Sequence, residues 1–159
     1  EAASDFHARY SAKGKCYVYH CTIGRVPLPT DRLYSAHIVQ PLHLENMREC
    51  LQLLKGEHDF SSFEATGSRD PAEESNRGAV RCISAAELLR EGSAKIQIVI
   101  SGDGFLRHMV RNIVGTLVEV GQGKRSVDDF ERLFELRDRS AAGPTMPAKG
   151  LFLKEVYYA

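Results

Sequence analysis

Apolar and polar positions change period several times along the chain, and each period predicts an element. Over residues 15–23 they alternate, with Tyr17, Tyr19, Cys21 and Ile23 on one face and Cys16, Val18, His20 and Thr22 on the other. The run is rich in aromatic and β-branched residues, so it predicts a strand. Leu44, Met47, Leu51 and Leu54 then recur at helical spacing, with Cys50 beside them and Gly56 closing the run, which predicts an amphipathic helix. Residues 80–89 fit neither period cleanly. Ile96, Ile98 and Ile100 alternate with Gln97 and Val99, predicting a second strand that stops at the Ser101-Gly102-Asp103-Gly104 turn. At about 100° per residue, Phe105, Leu106, Met109, Val110, Ile113, Leu117 and Val120 fill one side of a helix over residues 105–120. Val114 and Val118 carry its apolar surface around the back, which predicts a central, buried helix. Gly121 and Gly123 end it, and Ser126 followed by Asp129 resembles a capping box opening a further helix with Phe130, Leu133 and Phe134 inward. Residues 141–150 read as a Pro/Gly loop and residues 151–158 as a closing strand. Residues 66–78, TGSRDPAEESNRG, are polar and turn-rich, and read as a flexible exposed loop because apolar segments resume on both sides. Strands and helices interspersed in this way predict a single α+β domain over residues 1–159, a mainly antiparallel sheet backed by helices.

Composition narrows the class. A chain of 159 residues, 43% hydrophobic and 26% charged, is long enough for one domain with a core, and its composition excludes disordered and fibrous classes. Its apolar runs fall short of the roughly 18 residues of a membrane span. The opening EAASDFHARY lacks the basic and apolar regions of a signal peptide, and the chain reads as a piece of something longer. Lys and Arg (21) balance Asp and Glu (21), which excludes a uniform electrostatic footprint for nucleic acid but leaves room for a local basic groove. Cys16, Cys21, Cys50 and Cys82 form no C-x-x-C pair and have no His at ligand spacing, so no metal site is expected. Buried free thiols and an intracellular compartment are the expectation.

Candidate chemistry concentrates on few residues. Arg111 sits within an otherwise buried helix, beside Arg107 on the wheel, and a guanidinium there must find an anion, carbonyls or water. A structural ion pair or a snorkelling side chain satisfies that need as well as a functional role does. His108 is open to a packing role or to ligand binding and proton transfer. The SGDGF turn could present amides to a phosphate, but it lacks the full dinucleotide or P-loop pattern and reads as a tight strand-to-helix turn. Phe6, Arg9, Tyr10, Lys13, Lys15, Tyr17 and Tyr19 interleave basic and aromatic side chains, as backbone neutralisation and base stacking require and as an ordinary edge strand also shows.

Four segments together resemble the C-terminal half of the catalytic core of TruA-type tRNA pseudouridine synthases: FHARYSAKGKCYVY (6–19), GEHDFSSF (56–63), GFLRHMVRNIVGTLVEVGQGK (104–124) and DRSAAGPTMPAKGLFLKEVYY (138–158). The resemblance implies an enzyme that isomerises uridine to pseudouridine in tRNA, in the anticodon stem-loop, as a homodimer with no cofactor or metal and no membrane attachment. The family's aspartate motif, of the R-T-D-A-G-V-H-A type, is absent from these 159 residues, so the chain is expected to be one half of a core, inactive alone and prone to self-association through the apolar wall that faces the other half. Position by position, the resemblance makes Tyr17 the residue packing on the target uracil and Arg111 the ion-pair partner of the missing aspartate. It places Leu151 on the wall of the uracil pocket, and Arg9, Phe105 and His108 on the side where RNA enters. Two departures follow: Val18 replaces a usual basic residue, implying a lost RNA contact, and Met146 replaces a small residue, implying a narrower pocket mouth. A non-catalytic RNA-binding or dimerisation module derived from the enzyme would keep Arg9 and Tyr17 but has no need of Arg111. A small enzyme acting on a phosphorylated metabolite through Arg111 and His108 rests on the glycine turn alone.

Overall fold

The computed structural model describes residues 6–8, 11–27, 29–67 and 77–158. In chain order its elements are β1 (Gly14–Ile23), β2 (Ala36–Ile38), α1 (Leu44–Leu53), β3 (Gly56–Asp59), β4 (Val80–Glu91), β5 (Lys95–Gly102), α2 (Met109–Gly121), α3 (Val127–Glu131), α4 (Leu133–Leu136) and β6 (Leu151–Tyr157). Short 3-10 turns lie at Pro29–Asp31, Ser61–Phe63, Arg139–Ala141 and Ala148–Gly150. The sheet runs β2-β1-β5-β4-β3, and β6 also pairs with β1. β1 therefore has one edge against β5 from Lys15 to Thr22, and shares its other edge between antiparallel β6 along Gly14 to Tyr19 and parallel β2 along Cys21 to Ile23. Every pairing but the three-residue β2 contact is antiparallel, as the α+β expectation required.

One face of this sheet carries the core. Tyr19 and Cys21 of β1, Ala86 and Leu88 of β4, and Ile96, Ile98 and Ile100 of β5 are buried with Met47, Cys50 and Leu51 of α1, most of α2, Phe130 of α3 and Leu133 of α4. The alternation legible in β1 and β5 thus marks the face that meets the helices. Phe60, Phe63, Phe130 and Phe134 pack ring against ring beneath the third and fourth helices, with centroid separations of 5.7–6.3 Å. Ser126 and Asp129 close the capping box expected from the sequence, each side chain accepting from the other's backbone N–H. Cys16, Cys21 and Cys50 are buried free thiols and Cys82 is half-buried. Burial pushes the Cys21 and Cys50 thiols up to about 12, so they stay protonated and inert.

Three features differ from the sequence expectations. Residues 80–91, whose pattern is open, form one long strand, and Gly56, expected as a helix cap, instead begins β3, the cap falling at Leu54. The central helix begins at Met109 and not at Phe105, because His108 adopts a left-handed backbone (φ 62°, ψ 2°) that no α-helical turn can contain. Arg111 consequently lies in the first turn of α2 rather than in its middle. Of the loop over residues 66–78, positions 68–76 lie outside the described residues, as do Glu73 and Glu74; Arg77 at its far end pairs with Asp103 of the glycine turn. Among the described residues, no helix is long and apolar enough to cross a membrane, and no group of three His, Cys, Asp or Glu could hold a metal ion.

Candidate functional site

A cavity of about 340 Å³ opens where the start of β1, the approach to α2 and the start of β6 meet. Tyr17, Phe105, Arg107, His108 and Leu151 line it, with Leu106, Met109 and Val110 completing the wall. Four positions proposed from sequence, Tyr17, Phe105, His108 and Leu151, are therefore brought together although they span most of the chain. Arg9 lies outside the described residues.

Local geometry explains each placement. β6 carries one extra residue between the partners of Cys16 and Tyr17, so the β1–β6 ladder is irregular beside Tyr17, which stays paired with Ile100 of β5 on its other edge. The Tyr17 ring meets Phe105 edge to face, centroids 5.0 Å apart and planes at 82°. Burial raises the Tyr17 phenol above its ordinary value, which keeps it neutral. Leu151 faces Tyr19 across the β1–β6 ladder, one residue after Gly150. A Cβ on Gly150 would stand 2.7 Å from the Tyr19 ring, so only glycine lets the closing strand enter this close to β1. His108 is pulled below its ordinary value, first by desolvation and then by the charges of Arg111, Arg107 and Arg139, and is neutral at neutral pH.

Arg111 directly follows the cavity-lining Met109 and Val110 in the first turn of α2, and its Nε donates to the Met146 carbonyl at 2.6 Å. Its two terminal nitrogens make no hydrogen bond and no ion pair among the described residues. The guanidinium is thus fixed by one nitrogen and presents the fork of the other two, the geometry that receives a carboxylate in bidentate fashion.

The Pro/Gly loop that supplies the Met146 carbonyl belongs to one of the family-like segments, and in the fold it is a strap along α2. Residues 141–146 run antiparallel along α2, bonded to it at Gly143, Thr145 and Met146 and to Arg125 just beyond its end. Arg125, paired with Glu119 at 3.1 Å, donates to the Ala141 carbonyl at 2.8 Å. The Gly143 N–H donates to Thr116 Oγ1 at 3.0 Å, Thr145 Oγ1 donates to Asn112 Oδ1 at 2.6 Å, and the Met146 N–H donates to the Arg111 carbonyl at 3.2 Å. Tyr19 Oη–H then donates to the Pro147 carbonyl at 2.6 Å. At Gly115 the approach is closest: an added Cβ would lie 1.7 Å from the Pro144 carbonyl oxygen. The signal for this strap was present in the sequence, since Arg111, Gly115 and Glu119 at i, i+4, i+8, with Asn112 and Thr116 beside them, form one polar or small stripe on an otherwise apolar helix. Met146, expected at the pocket mouth, instead packs its side chain toward Gly115 and the core, and is not among the cavity's lining residues. Val18 is buried at 8% exposure between Val99 and Phe152, so it serves the sheet.

Residues 50–159 match the family model described as tRNA pseudouridine synthase. Over 158 residues the chain is 51% identical to tRNA pseudouridine synthase A 1 of Desulfotalea psychrophila, which covers 99% of this chain and 63% of that protein. It is 45% identical to tRNA pseudouridine synthase A of Ligilactobacillus salivarius, covering 98% of this chain and 59% of the relative, and 45% identical to that of Lacticaseibacillus casei, covering 98% and 61%. The chain spans about three-fifths of the length of these relatives.

Proposed function

The chain belongs to the tRNA pseudouridine synthase family, and from that premise we propose that residues 1–159 are the C-terminal half of a catalytic core that converts uridine to pseudouridine in the anticodon stem-loop of tRNA. The reaction breaks the N1–C1′ bond of the nucleotide, turns the uracil, forms the C5–C1′ bond, and moves a proton from C5 to N1. It is an isomerisation with no net oxidation or reduction, so acid, base and positioning groups suffice. The target must leave its stack to be reached. Tyr17 and Phe105 give the uracil an aromatic platform, Leu151 walls its far side, and neutral His108 with Arg107 borders the entrance. A carboxylate from a part of the protein outside this chain attacks C1′ as the N1–C1′ bond breaks and is released when C5 of the turned uracil takes its place on C1′, and Arg111 holds it.

One observation carries the reading: Arg111 is pinned through Nε to the Met146 carbonyl while its remaining fork has no partner among the described residues. A side chain fixed in this way beside an aromatic-lined cavity fits a carboxylate arriving from elsewhere better than it fits solvent. It also favours the enzyme over the RNA-binding or dimerisation module, which has no use for a pinned arginine. On β6 the exposed Leu153 is paired with Tyr17 and so lies on the cavity side of the sheet, which suits a surface covered by the rest of the protein, and a homodimeric full-length protein belongs to the same reading.

The test is release of tritium from tRNA carrying 5-tritiated uridine. The full-length protein releases it, residues 1–159 alone do not, and Arg111→Ala in the full-length protein lowers the rate by at least about 100-fold with the fold retained. Turnover by the 159-residue chain, or near-normal activity of a folded Arg111→Ala protein, overturns the assignment. Mapping the modified positions tests the anticodon stem-loop.

A further inference from the structure

Resting on that reading, we propose that Arg139 is a positioning residue: it locks the 143–146 strap to Asn112 so that the Met146 carbonyl holds Arg111 at one fixed angle. Arg139 never reaches the cavity, yet its guanidinium is spent almost completely on the strap. One terminal nitrogen donates to the Gly143 carbonyl at 2.9 Å and the other to Asn112 Oδ1 and Thr145 Oγ1, both at 3.1 Å. Thr145 closes the triangle by donating to the same Asn112 oxygen at 2.6 Å. Asn112 is fully buried, and its amide nitrogen is committed to the Phe63 carbonyl at 2.7 Å, so its oxygen cannot turn away.

The chain of constraint runs from a rigid anchor to the reactive group. Asn112 and Arg111 are consecutive on α2, and Thr145 and Met146 are consecutive on the strap. Fixing Thr145 on Asn112 therefore fixes Met146 on Arg111, where two bonds form: Met146 N–H to the Arg111 carbonyl and Arg111 Nε–H to the Met146 carbonyl. Arg139 welds the first pair and, by grasping the Gly143 carbonyl, prevents the strap from sliding along the helix. Lysine at position 139 supplies the charge without the fork and cannot span the Gly143 carbonyl and the Asn112–Thr145 pair together. The role is geometric, and a displacement of about 1 Å at a reacting centre is worth about 100-fold in rate.

The experiment uses the full-length protein with Arg139→Gln and Arg139→Lys, each alone and in an Arg111→Lys background that has no Nε–H to give Met146. The expected result is a fall in kcat of about 10- to 100-fold in both single variants, with KM for tRNA within about 3-fold of the parent. In the Arg111→Lys background the same changes at position 139 should cost little more, because their effect passes through the lost bond. A rise in KM at unchanged kcat makes Arg139 an RNA contact and overturns the proposal, and so does a full, additive loss in the Arg111→Lys background. A second readout is independent of turnover: exchange of the Arg111 Nε–H, followed by ¹⁵N-edited NMR and assigned by its absence in Arg111→Lys, should be slow in the parent and at least about 10-fold faster in Arg139→Gln. Unchanged exchange overturns the proposal whatever the activity. An inactive parent with fast exchange only in the variants removes the proposed function and leaves the positioning role standing.

Discussion

Two stretches meet helix α2, and the chain treats them in opposite ways. The strap over residues 141–146 is bonded to the helix through Thr116, Asn112 and Arg111 and to Arg125 just beyond it, with a glycine admitting its backbone at Gly115. The approach over residues 105–108 is held by three backbone bonds and no side-chain bond among the described residues: Met109 N–H to the Leu106 carbonyl, Asn112 N–H to the His108 carbonyl and Ala65 N–H to the Arg107 carbonyl. There His108 bears a left-handed backbone, and the Arg107 side chain is exposed with no ion pair among the described residues. Left-handed backbone at a residue with a Cβ costs about 1–2 kcal/mol, so the approach is a place where stability is given up while the strap is one where it is gained. The contrast separates two tasks: the strap fixes the arginine that must not move, and the approach leaves donors and charge free at the cavity where a nucleotide is to be received.

Breaking the strap should produce the largest effect. Gly115→Ala places a methyl group where the Pro144 carbonyl oxygen now sits, and neither the helix nor a backbone carbonyl can yield cheaply. The expected loss is at or above the upper end of the ~1–3 kcal/mol range for overpacking, and in the full-length protein activity falls with it because the Met146 carbonyl moves off Arg111. Denaturant unfolding together with the tritium assay checks both. A variant of normal stability and activity would mean that the strap rides loosely and the comparison is wrong. Asn112→Ala comes next: it strands the Phe63 carbonyl and removes the acceptor shared by Arg139 and Thr145, for about 1–3 kcal/mol by the same unfolding measurement.

The unequal legibility of these two stretches has a physical cause. Periodicity reports burial, so it found β1, β5, the buried face of α2 and the capping box at Ser126, where side-chain spacing and core coincide. It could not find β2 and β3, which are three and four residues long and show too little alternation, and it left β4 open because a bulge between Ile83 and Ala85 interrupts its period. It extended α2 back to Phe105 because Phe105 and Leu106 are apolar, whereas the break at His108 is a backbone conformation that hydropathy does not encode. For the site, Tyr17, Phe105, His108 and Leu151 came from resemblance, and the cavity that gathers them came from the fold. Asn112, Thr145 and Arg139 were missed because each is an ordinary polar residue until the strap is laid along the helix. The zero net charge is a sum over the whole chain, and it hides the concentration of Arg107, Arg111 and Arg139 around one histidine.

On the approach, the same logic predicts a change of opposite sign. His108→Gly removes the left-handed strain, worth about 1–2 kcal/mol, and adds the unfolded-state freedom of glycine, worth about 0.5–1 kcal/mol. The net expectation is a gain in stability below about 1 kcal/mol, read as a higher unfolding midpoint, with weaker activity in the full-length protein. A loss comparable to Gly115→Ala would show that the approach is as firmly built as the strap.

The smallest expected effect is on pH dependence, and it sharpens the comparison by reporting the charge that the approach leaves uncompensated. The His108 pKa lies below its ordinary 6.5 in the folded chain, through desolvation and then the fields of Arg111, Arg107 and Arg139. Between the folded and unfolded values the unfolded chain binds more protons, so the slope of stability against pH is positive there. The contribution of His108 is complete above about 6.5 and is lost as pH falls toward the folded value. His108→Gln should therefore flatten the part of the stability profile just below pH 6.5, and an unchanged slope would assign it to other groups. In the full-length protein a carboxylate held by Arg111 cancels part of the positive field at His108, which raises the folded pKa toward the unfolded one. The His108 contribution to the slope should then be weaker than in residues 1–159 alone, and equal contributions in the two would mean that no such carboxylate reaches Arg111.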